Sequence, residues 1–193
     1  MRLAAHLRRR FTRPPEPVRA VVQASPDPDE RVLAWGALVR ERGWLVATSR
    51  GLRVVPADLS LGEAGDVGVL RWHEVGAARW AATNDGGGSF TVTALTEVEP
   101  GVQAREAAER YALADAGDLP AVVRRRVDET VVASRRSPLP GGGGVLLVAR
   151  RVPGQAAREW TVVFDDDADR GDPGARAAAR AKLEEALAAE QPG

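Results

Sequence analysis

The chain has 193 residues, of which 44% are hydrophobic and 28% charged, and its 27 basic and 27 acidic side chains leave no net charge. A chain of this length buries a core without a metal or disulfide staple, and the absence of cysteine excludes disulfides, thiolate metal sites and a cysteine nucleophile. The balanced charge argues against a generally electrostatic hold on nucleic acid or an anionic membrane, and no apolar run approaches the ~18 residues of a membrane-spanning helix.

Residues 1–17 read as a tail. Arg2, Arg8, Arg9, Arg10 and Arg13 form a basic cluster, and Pro14, Pro15 and Pro17 follow as helix breakers. Leu3, Leu7 and Phe11 recur every four residues, so the first eleven could make a short one-sided helix with weak affinity for anionic lipid. A solvated tail is the plainer reading. The segment lacks the apolar core of a secretion signal, so the expected location is cytoplasmic, with peripheral membrane contact through Arg8, Arg9, Arg10 and Arg13 as the variant.

Ser25–Asp29, with two prolines, is turn chemistry and marks the domain entrance. Three apolar segments follow: 31–39, 44–48 and 52–55, separated by Arg40–Gly43 and by the tight turn Ser49-Arg50-Gly51. They predict an antiparallel meander, with both faces of the first strand covered and Gly36 suited to a bend. Residues 56–67 form a loop. Further strands are expected near 69–73, 76–82 and 89–95, the last after the turn signal at Asn84–Gly88, then a loop at 99–104 and a strand at 109–114, whose alanines equally suit a helix.

Asp118-Leu119-Pro120 combines an N-cap carboxylate with a first-turn proline and predicts a helix with Leu119, Val123 and Val127 on one face. It ends between 127 and 134, where Thr130–Arg135 is β-prone and could open a strand instead. Gly141–Gly144 is a loop, strands at 145–152 and 159–164 pair as a hairpin, and Asp172-Pro173 starts a last helix to about residue 189.

This order, a run of short strands from 31 to 114 and then a capped helix, is similar to that of pleckstrin-homology-like (PH-like) domains. The segments Trp44–Leu52 and Val69–Val75 resemble strand–turn–strand and aromatic–acidic–aliphatic segments of bacterial members, and the whole resembles uncharacterised actinobacterial proteins of that kind. The GC-rich codon bias agrees: one lysine (Lys182), one asparagine (Asn84) and no isoleucine. The resemblance covers roughly residues 28–132 and implies a mainly β (α+β) fold, a seven-stranded antiparallel barrel or sandwich capped by a helix. Residues 1–27 are then tail and linker, and residues 133–193 a C-terminal hairpin–helix extension.

Chemistry-bearing residues are few. His73, beside Glu74, is the histidine of the folded region and could serve a small hydrolase with a serine such as Ser89, although no GxSxG elbow accompanies it. The Asp165–Asp172 loop has the oxygen ligands that suit Ca²⁺ or Mg²⁺. It departs from the EF-hand pattern, because Gly171 falls one place late and Arg176 stands where a bidentate Glu is needed. The plainer reading is a capped helix with solvated carboxylates. Gly141–Gly144 has neither the P-loop spacing nor a following helix. Arg124–Arg126, Arg135-Arg136 and Arg150-Arg151 form a basic set readable as a phosphate patch or as a solvated face, without the interleaved aromatics of single-strand binders. The five tryptophans, Trp35, Trp44, Trp72, Trp80 and Trp160, read as core. The expectation is a non-enzymatic binding or scaffold protein, without cofactor, acting with a protein partner or a second copy. The alternatives are an enzyme centred on His73 or Asp165–Asp172, and a lipid binder through the N-terminus.

Overall fold

A computed structural model describes residues 13–152 and 158–190. Arg13 is exposed; Arg8, Arg9, Arg10 and the expected short helix around them lie outside the described residues. The chain is mainly β, as its alternating apolar segments predict, and divides into two compact units, each assembled from separate stretches.

The first unit takes the chain up to Trp72, then Ala77–Val92 and Glu109–Arg126. It begins with α1 (Glu16–Gln23), where a linker was expected. Pro17 sits in the first turn, where the missing N–H costs nothing, and Val18 and Val21, three apart, bury one stripe. The meander β1 (Val32–Leu38), β2 (Gly43–Thr48), β3 (Gly51–Pro56) and β4 (Leu70–Arg71) is antiparallel throughout, and Val46 and Val55 receive Val18 and Val21. Thr48 makes the second turn: its buried hydroxyl donates to Gly51 O and accepts from the N–H groups of Arg50 and Gly51, each at 3.1 Å.

Two half-buried tryptophans, Trp35 and Trp44, pack against this same core. Trp72 is buried and donates to Thr48 O at 3.1 Å. The loop expected at 56–67 carries a short 3-10 turn, Leu61–Asp66, and buries Ala64.

Strands β5 (Val75–Ala82), β6 (Gly88–Glu99) and β8 (Glu109–Asp115) follow; β6 is flanked by β5 and β8, and β8 also pairs with β1. Trp80 packs on Phe90 with ring centroids 6.2 Å apart. The helix α2 (Leu119–Thr130) starts where Asp118-Leu119-Pro120 predicts. Leu119 and Val123 are fully buried, and a Cβ on Gly36 would meet Leu113 and Leu119 side chains at 3.2 Å, so this glycine lets the helix start close over β1.

The second unit takes His73–Gly76, Thr93–Ala108 and everything from Val127 onward. The loop expected at 99–104 contains a strand, β7 (Val102–Arg105), folded back on β6 around Gly101. Only Val102 and Ala104 of these four residues face inward, too short an alternation to read by eye. Strand β6 is continuous through both units. Its partner is not: Leu95 pairs with Arg105 and Val92 with Glu109, so residues 93–94 face 106–108 and one residue bulges.

Strands β9 (Val131–Pro138), β10 (Gly144–Arg151) and β11 (Arg158–Phe164) form an antiparallel set, and β11 runs parallel to β7. Of the two readings open for Thr130–Arg135, both hold in part: helix ends at Thr130, whose hydroxyl donates to Val127 O at 2.7 Å, and strand starts at Val131. The last helix, α3 (Pro173–Glu190), lays Ala175, Ala179, Leu183 and Ala186 on Val102, Val145, Leu147, Val162 and Phe164, with Trp160 at the margin. Its alanine stripe allows close approach to the sheet. Among the described residues no helix is long and apolar enough to cross a membrane.

Candidate functional site: a buried polar seam

Strand alternation gives the second unit's sheet two unlike faces. Val145 and Leu147 of β10 lie under α3. The intervening residues, Leu146 and Val148, turn the other way with Val163 of β11 and Leu95 of β6, and Arg150 continues that row. The register puts Thr161 across from Val148, and Gln103 of β7 across from Val163. Gln103, Thr161 and Arg150 thus lie on one face, diagonal neighbours on three adjacent strands.

Each has an unmet polar atom. Arg150 is 6% exposed; its Nη1 donates to Thr130 Oγ1 at 2.9 Å, while its buried Nε has no partner. Thr161 is 3% exposed and its hydroxyl makes no hydrogen bond, and the buried Oε1 of Gln103 accepts none. Burial lowers the pKa of Arg150, yet a guanidinium stays protonated at neutral pH. Glu159, directly across from Arg150, is exposed and forms no ion pair with it. Arg150 is thus a buried cation whose hydrogen bond among the described residues goes to a neutral hydroxyl, an arrangement that burial makes costly.

The residues singled out from sequence fall elsewhere. His73 and Glu74 sit half-buried in a 3-10 turn, Trp72–Glu74. The Ser89 hydroxyl accepts from Arg110 Nε. In the acidic loop Asp165 accepts from Arg136 Nε at 2.8 Å, Asp166 pairs with Arg105 at 3.1 Å, Asp169 accepts from Gly171 N at 2.9 Å, and Asp172 caps α3 through Ala175 N at 2.8 Å. Among the described residues no group of three or more His, Asp or Glu side chains could hold a metal ion.

The basic set is split by strand alternation: Arg135 approaches Glu185 at 3.9 Å, Arg136 turns to Asp165, Arg151 is exposed and Arg150 is buried. In the sequence Arg150 reads as one of that set, and nothing there marks Thr161 or Gln103. The signal was present, since Arg150 continues the alternation of Leu146 and Val148 and so belongs to an inward row. No protein-family model matches the chain, and no curated protein or solved structure matches it.

Proposed function

We propose that the protein is a non-enzymatic binding or scaffold protein whose first unit is a PH-like domain. The observation that carries this is the element order there: a four-stranded antiparallel meander, three further strands of which the last pairs back to β1, and a helix that begins over Gly36. That succession, strands first and then a helix over β1, supports the PH-like reading, and the binding role is carried to it by analogy. The occupation of the acidic-loop carboxylates by arginines and a helix start also favours a structural part for that loop.

The partner is a protein or a second copy of the chain. Affinity capture with the tagged full chain from an actinobacterial extract, read with light scattering of the purified protein, tests this. A recurrent stoichiometric partner or a stable oligomer is expected. A monomer that captures nothing reproducible refutes it. Removal of residues 1–13 should leave sedimentation with anionic vesicles unchanged; a loss would move the reading to a lipid-binding tail.

A further inference from the structure

We propose that β9 is a guarded edge: the second unit's sheet ends in a strand that refuses a further strand, above all a second copy of itself. This narrows the binding reading without resting on it, because a second copy must then dock through another surface. β9 closes the strand order, and among the described residues it pairs with β10 alone. Antiparallel pairing turns only alternate N–H and C=O groups toward β10, so the outer groups form a template for another chain. The hazard is substantial: the strand has eight residues, six of them exposed, and it opens on Val131 and Val132 at 37% and 41% exposure.

Three features counter it. At the apolar end Val131 pairs with Arg150 and Ala133 with Ala149, which leaves Val132 as a bulged residue. A bulge sharpens the local twist and turns that stretch of edge away from a straight partner. In the middle, consecutive Arg135 and Arg136 fall on opposite faces, one beside Glu185 of α3 and the other on Asp165, with side chains still 61% and 70% exposed. At the far end Pro138 offers no N–H. The arginines also decide which partner is refused. The antiparallel register that overlaps two such strands fully over residues 133–137 sets Arg135 opposite Arg135 of the other copy. A slip of one residue sets Arg135 opposite or diagonal to the other copy's Arg136. Like charges so placed oppose pairing, and closing the edge would strip water from two guanidiniums.

The chain has no cysteine, so a single Ser134→Cys substitution reports edge contact as a disulfide-linked dimer. Sedimentation velocity and diamide cross-linking of the full chain over a concentration series test the guard. With Ser134→Cys in both, Arg135→Thr/Arg136→Thr/Pro138→Thr should cross-link at least about tenfold faster than the native edge, and should sediment as a concentration-dependent dimer. Arg135→Lys/Arg136→Lys keeps both charges and should cross-link as slowly as the native edge. Ready cross-linking of Ser134→Cys in the otherwise native chain overturns the proposal, as does a triple variant that stays as monomeric as the native chain. Should the triple variant not fold, Arg135→Thr/Arg136→Thr replaces it, and cross-linking no faster than the native edge rejects the guard. A native oligomer in which Ser134→Cys does not cross-link supports both the guard and the second-copy reading. A native monomer supports the guard and leaves the binding reading to a protein partner.

Discussion

Glu30 is 7% exposed and still holds its charge. Burial alone would raise its pKa, but hydrogen bonds from Arg53 and Ser25, with the charge of Arg53, outweigh that and lower it to about 2 from an ordinary 4.5. Arg53 grips both carboxylate oxygens, Nε to Oε1 at 3.0 Å and Nη2 to Oε2 at 2.8 Å, and its Nη1 donates to Val67 O. Because the folded pKa lies below the unfolded one, the stabilisation is complete above about pH 4.5 and is lost as pH falls from there toward 2. Its full size is about 3 kcal/mol. Urea unfolding of Glu30→Gln should therefore show a weaker decline of stability between pH 5 and pH 2.5 than the wild type; parallel declines would contradict this assignment.

Gly43 makes a sharper demand on a single position. Its φ is +115°, and a Cβ would stand 2.0 Å from Val55 O, inside the β2–β3 pair. Neither the backbone conformation nor the space admits a side chain, so Gly43→Ala should destabilise by roughly 2–4 kcal/mol, measured by denaturant unfolding. A change below about 1 kcal/mol would mean that the strand pair shifts freely there. The Thr48 turn was legible in the sequence as an apolar run ending in Thr and Gly. The Glu30–Arg53 pair was not, because its partners are far apart in sequence and no local pattern links them.

At the scale of elements, punctuation by Asp-Pro was the most readable signal. Asp172-Pro173 and Asp118-Leu119-Pro120 both begin helices because an aspartate oxygen can satisfy a free first-turn N–H and proline has none to satisfy. Asp172→Ala should cost about 1 kcal/mol without altering the folded spectrum. Asp172→Asn should retain most of that; equal losses in the two variants would mean that charge near the helix end, and not the cap, carries the effect. The same residue types misled at α1, where prolines read as breakers precede a helix. Proline is incompatible with a helix interior and well suited to its first turn, so placing the helix required seeing Val18 and Val21 as a buried pair. Strand β7 is too short for its alternation to show in the sequence, and β-branched residues straddling the end of α2 read equally as helix or as β9.

On the scale of the whole molecule, the expected boundary near residue 133 meets a chain whose second unit also draws on residues 73–76 and 93–108. Val102 of β7 is wholly buried there, across from Val162 in the parallel β7–β11 pair. A fragment of residues 127–193 lacks β6 and β7 and leaves that side of β11 unpaired and apolar, so it should give a poorly dispersed amide spectrum or aggregate. A dispersed, cooperatively unfolding fragment would show that the strands from β9 onward suffice with α3.

The sequence by itself determined the mainly β character, most strand spans and both helix starts marked by Asp and Pro, because these depend on alternation, capping and turn chemistry within a few residues; of the five tryptophans read as core, only Trp72 is fully buried. Tertiary structure alone decided that β7, paired with β6 on one edge, runs parallel with β11 on the other, that Arg53 closes on Glu30, and that Arg150 is buried while Arg151 is exposed. Pairing partners and burial depend on which distant strand lies alongside, and one register step moves a side chain from solvent to core.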